Sequence, residues 1–399
     1  MKRVQVRMLR TQFPPDSPLL LDRVLLYTVV CLCALGLIMV TSSSIAYAEK
    51  HMHDPLYYIQ RQLVFLAIGS VLACYVFSKS TDSWYRMGPL LLLGAFVLLG
   101  AVLLPNVGKT VNNSTRWIAL GWINVQVSEI AKIWVIIYLS GYLVRHSQNL
   151  RTRAGGFLYP LGLVLSSCVL LLAEPDFGAA VVLLGSALLL MYLAGVRTAW
   201  FLYAIVLLAV AAAALVYFSD NRFDRIAAAF DPWADPQGNG YQMVNSLMAL
   251  GQGGLMGVGL GGSVQKLLFL PEAHTDFLFA ILGEELGLLG TLVVLSLYGI
   301  LAWRIFFIAS RVLHQEQVFG SYLAYGVGIL LSIHALINIG VNLAVLPAKG
   351  LTLPLMSYGG SNLVMTLIAL AMVFRVDYDA RLAEHATNTG DRKWQKRAR

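Results

Sequence analysis

Charged side chains are scarce in this sequence of 399 residues. Asp, Glu, Lys and Arg make up 13% of the chain, whereas 58% of the residues are hydrophobic. An average soluble domain carries about 25% charged residues, so an ordinary soluble fold is excluded. Apolar runs of about 20 residues, the length that spans a bilayer as a helix, recur along the chain. A membrane β-barrel would show segments of about ten residues that alternate in polarity. We therefore expect an all-α polytopic membrane protein.

Cysteine is also rare, and its positions carry no chemical pattern. All four cysteines lie within apolar runs, at positions 31, 33, 74 and 168. This spacing fits neither a disulfide framework nor a zinc site. The sequence also has no Cys/His cluster, no Ser-His-Asp order and no nucleophile elbow. Any catalysis must therefore come from the few ionisable side chains.

About ten transmembrane helices are predicted, with one large loop between the seventh and the eighth. The predicted spans are approximately 21–44, 59–78, 86–104, 126–144, 156–173, 177–195, 198–218, 277–303, 319–343 and 361–375. They form a transmembrane domain at 21–375, between an N-terminal tail at 1–20 and a basic C-terminal tail at 376–399. The large loop covers 219–276.

The distribution of basic residues predicts the orientation. Twenty of the 29 lysine and arginine residues lie on the side of the two termini. Cytoplasmic loops carry the excess of basic residues, so both termini are expected in the cytoplasm. The large loop then faces outside. The net charge of +8 reflects this topology and contact with anionic lipids, not nucleic-acid binding.

Asp276 is a single carboxylate where the large loop meets the next apolar helix. A lipid-linked substrate would hold its reactive head group at this depth. A transferase acting on such a substrate needs one base there. The alternative is a solvated residue that caps the helix.

Other ionisable residues lie within or beside the spans, where they are costly and usually have partners. Glu129 and Lys132 are three residues apart and share a helix face, either as a structural ion pair or as the lining of a polar cavity. Glu284 and Glu285 lie deeper in the eighth span, and Lys132 and Lys349 are their candidate partners.

Three further segments are polar or conformationally unusual. Glu174-Pro175-Asp176 is either an ordinary turn or a second carboxylate at the same cavity. The glycine-rich run at 251–262 permits close backbone packing or contact with a ligand. His334, Asn338 and Asn342 follow each other at intervals of four, which favours hydrogen bonds between helices. The last outer loop, 346–354, is apolar enough to fold back into the membrane edge.

Several of these segments together resemble the SEDS family (shape, elongation, division and sporulation), and within it the cell-division subgroup. The matching segments span most of the chain: 116–121, 126–132, 174–178, 257–261, 263–267, 270–277, 283–287, 349–354 and 357–361. None would be specific alone, but the set is.

The resemblance implies a peptidoglycan glycosyltransferase that polymerises lipid II at the outer face of the bacterial cytoplasmic membrane, at the division septum. It implies that Asp276 is the general base. The substrate-binding residues would be Arg116, Glu129, Lys132, Asp176, Lys266 and Lys349. A divalent cation, Mg²⁺ or Mn²⁺, is permitted but not specified by any motif. The implied partners are the growing glycan strand, a class B penicillin-binding protein (a transpeptidase), other division proteins and membrane lipids.

Two other functions stay open from the sequence. A lipid II flippase would use buried ionisable residues to line a path across the bilayer. A scaffold that only recruits the transpeptidase would tolerate replacement of Asp276.

Overall fold

The computed structural model describes residues 21–397 except 106, 112–113, 122, 218–223 and 225–226. The predicted N-terminal tail and part of the large loop lie outside these residues. The helices are α1 Arg23–Met52, α2 Tyr57–Ser78, α3 Thr81–Val102, α4 Val127–Arg145, α5 Ser147–Thr152, α6 Ala154–Ala173, α7 Phe177–Leu193, α8 Thr198–Tyr217, α9 Tyr241–Gly253, α10 Leu278–His314, α11 Val318–Asn342 and α12 Gly360–Arg397.

Seven of these helices are long and apolar enough to cross a membrane, namely α1, α2, α3, α4, α6, α10 and α11. The chain is therefore a mostly helical, multi-pass membrane protein, as predicted. The number of ten spans and the side of the termini remain predictions. Most helices begin and end close to the predicted positions, but α10 continues to His314 and α12 to Arg397.

The prediction of an all-α fold needs a correction, because a small sheet lies between α3 and α4. Its strands are β1 Gly108–Val111, β2 Ser114–Leu120 and β3 Ile123–Gln126. They pair antiparallel in the order β1-β2-β3. The strands have four, seven and four residues, so a search for membrane-length apolar runs does not detect them. Their β-branched and aromatic residues nevertheless favour strands.

The helices pack into two adjoining hydrophobic cores. One contains buried side chains from α1, α2, α10, α11 and α12. The other contains buried side chains from α3, α4, α6 and α7. Helices α4 and α11 contact each other across the boundary. Many large apolar side chains outside these cores are exposed, as expected for helices that face lipid.

Buried ion pairs join α1, α10 and α12 at the end that carries the last residues of α10. Asp22 caps α1 through the Leu25 amide and accepts bonds from Arg304 at 2.9 Å and Arg381 at 3.2 Å. Asp377 is bonded to Arg311 and Arg381. Each buried carboxylate is paired, so removal of its arginine partners would leave an uncompensated buried charge.

The glycine-rich run forms hydrogen bonds with the backbone of α10 where that helix is interrupted. Gly287 has φ 66° and ψ −164°, so the helical hydrogen bonds stop there. The Leu288 amide donates to Gly254 O at 2.9 Å, and the Val258 amide donates to Glu284 O at 3.0 Å. A second chain segment thus bonds the freed backbone groups, which the membrane cannot do. The sequence allowed the glycines either close backbone packing or contact with a ligand, and these hydrogen bonds are an example of close packing.

We expect Gly287→Ala to destabilise the protein. An added Cβ would lie 2.3 Å from the Gly257 nitrogen, at a φ that side chains rarely adopt. Left-handed strain and overpacking together cost roughly 2–5 kcal/mol. Thermal unfolding in detergent should show a clear fall in Tm. Gly299→Ala is the control, because its Cβ would meet open space in the same helix. Equal Tm values for the two variants would contradict this account.

Candidate active site

Asp276 lies directly before α10 and is held through its backbone. Asn338 and Asn342, one turn apart on α11, each donate a side-chain hydrogen bond to Asp276 O at 2.9 Å. The side-chain oxygen Oδ1 of Asn342 accepts from the Ala280 amide at 3.0 Å, in the first turn of α10. The predicted hydrogen bond between helices is thus confirmed for Asn342, which reaches α10. Asn338 instead donates to the loop backbone at Asp276 and Leu351, and both asparagines position the catalytic candidate.

The carboxyl group of Asp276 is half-buried, and its environment favours the protonated form. Burial raises the pKa of Asp276 to about 8; the Glu272 carboxylate raises it further, and the Arg116 guanidinium opposes both. A carboxylic acid with a pKa near neutrality is suited to accept and release a proton during catalysis. The group is therefore more than a solvated cap.

Arg116 comes from β2 and reaches the turn between α6 and α7. Its guanidinium donates to Glu174 O at 3.4 Å and to Pro175 O. It also lies 3.8 Å from the Asp176 carboxylate. The sheet therefore brings a fixed positive charge close enough to Asp276 to influence its pKa.

Asp176 is buried, and its carboxylate accepts several hydrogen bonds from neighbouring segments. Its carboxylate caps α7 through the Ala179 amide at 3.1 Å. It also accepts from Ser128 Oγ at 3.0 Å and from Gln126 Nε2 at 3.4 Å. The cap confirms the interpretation as an ordinary turn, and the neighbouring Arg116 places Asp176 beside a positive charge. Its direct contact with a substrate remains a prediction.

Glu174 is a member of this site that the sequence did not single out. Its side chain is completely buried, and neither carboxyl oxygen has a hydrogen-bond partner within the described part of the chain. Burial raises the pKa of Glu174 to about 8, with a further contribution from the Asp176 carboxylate and opposition from Arg116. The available signal was that Glu174 is the first of the two acids in the Glu-Pro-Asp turn, but nothing in the sequence indicated that its carboxyl oxygens would lack partners.

The loop after α11 lies against both carboxylate segments. A Cβ on Gly350 would be 3.4 Å from Asp276 Oδ2, and one on Gly178 would be 3.0 Å from Leu351. The Lys349 ammonium lies 4.5 Å from the centre of the Phe177 ring. Arg116, Glu174, Asp176, Asp276 and Lys349 therefore belong to one cluster, built from β2, the α6–α7 turn and the loops that flank α10 and α11.

Glu129 and Lys132 form a buried ion pair on α4, with a distance of 2.8 Å between Lys132 Nζ and Glu129 Oε1. Lys132 also influences His334 of α11 electrostatically. The ion pair, one of two alternatives from the sequence, is present. Contact of either residue with substrate remains untested.

Lys266 forms a separate network with α1 and α10. Its ammonium lies 2.6 Å from Glu285 Oε1 and 2.9 Å from Ser42 Oγ. Glu284 instead accepts from Ser263 Oγ and the Val264 amide. The prediction that Lys132 or Lys349 would pair with Glu284 and Glu285 was therefore wrong. Position 266 lies in a loop whose fold was not evident from the sequence, so this partner could not be identified.

The described residues contain no group of three or more His, Cys, Asp or Glu side chains arranged to hold a metal ion. Mg²⁺ commonly binds through one or two carboxylates together with substrate phosphates. Within the cluster, the carboxyl oxygens of Glu174 have no hydrogen-bond partner among the described residues, and a divalent cation remains a prediction.

The sequence model of the FtsW/RodA/SpoVE cell cycle proteins matches residues 22–382. The chain belongs to this family, the SEDS proteins. A SEDS relative from Alkalilimnicola ehrlichii, named a probable peptidoglycan glycosyltransferase FtsW, is 52% identical over 364 residues, covering 91% of this chain and 90% of the relative. A protein of the same name from Legionella pneumophila is 46% identical and covers 92% and 94%.

Solved SEDS structures have the same fold. Thermus thermophilus RodA, a rod shape determining protein, aligns with a TM-score of 0.68 and 28% identity, covering 91% of this chain and 98% of that one. A chain from a peptidoglycan synthase complex described as coordinating polymerization and crosslinking aligns with a TM-score of 0.75 and 28% identity, covering 91% and 99%.

Proposed function

We propose that this SEDS protein is a peptidoglycan glycosyltransferase that polymerises lipid II for septal cell division. The names of its relatives support this activity. The single observation that carries the site is Asp276, a half-buried carboxyl with a pKa of about 8 beside Arg116 and the Lys349–Gly350 loop. The predicted topology, with ten spans and cytoplasmic termini, would place this cluster at the outer face of the membrane.

In the reaction, Asp276 takes the proton from the 4-hydroxyl of the incoming lipid II sugar. The hydroxyl oxygen forms a bond to the anomeric carbon of the growing chain, and the bond from that carbon to polyprenyl pyrophosphate breaks. The displacement inverts the anomeric centre. The electron pair leaves with the pyrophosphate, where negative charge must be stabilised.

Arg116 and Lys349 are the cations best placed for the leaving group. Arg116 presents a planar set of donors suited to phosphate, and Lys349 lies on the loop that touches Asp276. Lys132 and Lys266 form closer ion pairs, at 2.8 Å with Glu129 and 2.6 Å with Glu285, whereas Arg116 lies 3.8 Å from Asp176. A divalent cation bound to the pyrophosphate would add charge stabilisation.

The pH dependence follows from the raised pKa of Asp276. The base must be deprotonated, so the polymerisation rate should rise with pH between 6 and the pKa of about 8 and then level off. An aspartate with an ordinary pKa of about 3.9 would give a flat profile over that range. The measurement is kcat/KM for glycan synthesis from lipid II as a function of pH, because this quantity reports the ionisation of the free enzyme. A flat profile would contradict the proposed environment of Asp276.

The partner is proposed from the structure that this fold matches, a complex that couples polymerization to crosslinking. We infer that the chain acts with a class B penicillin-binding protein, which crosslinks the strands. Lipid II polymerisation should therefore be measured for the purified protein with and without its transpeptidase. Glycan strands in either assay support the proposal. Failure to polymerise in both would refute it.

The same preparation tests the flippase alternative. Glu129, Lys132, Glu284 and Glu285 bond to neighbouring residues, which argues against an open polar path through the bilayer. Reconstituted vesicles with fluorescent lipid II distinguish the two activities. Accessibility of inner-leaflet lipid to dithionite, without polymer, would favour a flippase.

A further inference from the structure

A recess of about 450 Å³ opens at the end of the bundle opposite Asp276. It is lined by Pro89 of α3, Tyr138, Tyr142 and Arg145 of α4, His146, and Tyr159 of α6. Helix α4 runs for 19 residues from β3, near the candidate active site, to Arg145, a length of about 28 Å at 1.5 Å per residue. The recess is therefore separate from the catalytic cluster and lies near the opposite membrane surface.

Two prolines at the recess leave helical carbonyl groups without their usual backbone donors. Proline has no N–H, so Pro160 leaves the Gly156 carbonyl without its helical donor. The Tyr142 hydroxyl, at 3.4 Å, donates to that carbonyl and joins α4 to α6. Pro89 likewise leaves the Tyr85 carbonyl without its helical donor. The hydroxyls of Tyr138 and Tyr159 remain as donors at the recess.

Arg145 supplies the positive charge. Its guanidinium lies 5.3 Å from the centre of the Tyr85 ring and 6.0 Å from that of Tyr138. It forms no ion pair with any described residue, and no acidic side chain lines the recess. The aromatic rings hold the guanidinium in position without neutralising its charge.

We propose that this recess binds the phosphodiester head group of an anionic membrane lipid, in the leaflet opposite the candidate active site. Arginine and tyrosine donors match phosphate oxygens, and tyrosine rings favour the depth at which lipid head groups lie. Proline and the ring faces provide apolar surface for the glycerol part of the lipid. One arginine balances a phosphodiester monoanion, whereas free phosphate at neutral pH carries more charge. This site does not depend on the proposed glycosyltransferase activity.

Native mass spectrometry of the purified full-length protein, titrated with dioleoyl-phosphatidylglycerol, tests the proposal. We expect Arg145→Gln to weaken the tightest binding event about tenfold, as for loss of one charge-assisted contact. Arg197→Gln is the matched control, because it removes an arginine at the same end of the bundle that stacks on Trp200 outside the recess. It should bind as tightly as the wild type. Tyr159→Phe, which removes one exposed hydroxyl, should bind severalfold less tightly and serves if Arg145→Gln cannot be purified.

Two further titrations distinguish the ligand sources. Dioleoyl-phosphatidylcholine should bind at least severalfold more weakly than phosphatidylglycerol, and millimolar inorganic phosphate should neither shift Tm nor compete with the lipid. If both lipids bound equally, or if Arg145→Gln and Arg197→Gln lost lipid affinity equally, the recess would be part of an ordinary aromatic belt at the membrane surface and not a specific site. Competition by inorganic phosphate would indicate a site for free phosphate. Each of these results would overturn the proposal.

Discussion

Asp276→Asn is expected to reduce lipid II polymerisation by about 10²–10⁴-fold, the usual contribution of a general base. Asparagine has nearly the same shape, and the hydrogen bonds from Asn338 and Asn342 go to the backbone oxygen of Asp276. These bonds should survive the substitution. The variant should therefore remain folded and inserted in the membrane. The measurement is the single-turnover rate with purified lipid II and the cognate transpeptidase, alongside a thermal unfolding curve.

Glu272→Gln provides a matched control four residues away. Glu272 is an exposed acid whose carboxylate raises the pKa of Asp276. Its neutralisation should leave activity largely intact and move the rising limb of the pH profile to lower pH. Full polymerase activity of Asp276→Asn would remove the base assignment. Normal division supported by Asp276→Ala would instead favour the scaffold interpretation.

Arg116→Gln is expected to give the second large effect, a fall of about 10²–10³-fold in kcat/KM, comparable to the loss of one preorganised transition-state donor. The substitution removes a cation proposed to stabilise the leaving pyrophosphate, and it removes the donors to the carbonyls of Glu174 and Pro175. It also removes the charge that lowers the pKa of Asp276. That pKa should rise, so the pH profile should move to higher pH.

Lys109→Gln controls for charge and for the sheet. Lys109 is an exposed residue of β1 paired with Trp117 of β2, so its loss changes the charge by the same amount. It should retain near wild-type activity and an unchanged pH profile. If Arg116→Gln and Lys109→Gln lost activity equally, the loss would come from disturbing the sheet or its total charge and not from Arg116 itself. An unshifted pH profile for Arg116→Gln would show that Arg116 does not influence the pKa of Asp276.

The sequence was most informative about the membrane helices and the family. Apolar runs such as 59–78 and 126–144 predicted α2 and α4 almost to the residue, since burial in lipid requires a continuous apolar helix. The sheet was missed because strands as short as Gly108–Val111 lack such a run. The break at Gly287 was missed because a glycine within an apolar helix does not reveal which segment will pack against it.

Ion pairs within one helix could be predicted from the sequence, whereas ion pairs between distant segments could not. Glu129 and Lys132 could be paired from the sequence because both lie on one turn of α4. The pairing of Lys266 with Glu285 joins a loop to a distant helix and has no local signal. The pKa of Glu174 is raised because folding buries its carboxyl group without a hydrogen-bond donor among the described residues.

By itself the sequence determined the protein class and the SEDS family, and it predicted Asp276 as the central acid. These properties depend on composition, on helix-length hydrophobicity and on local motifs, all of which are properties of short segments. Only the tertiary structure decided that Arg116, from a sheet, and Glu174, from a turn, would share one cluster with Asp276. It also left Arg145, at the opposite end of the bundle, without an acidic partner among the described residues. Such contacts join residues far apart in the chain, because they arise from helix packing, which leaves no local pattern in the sequence.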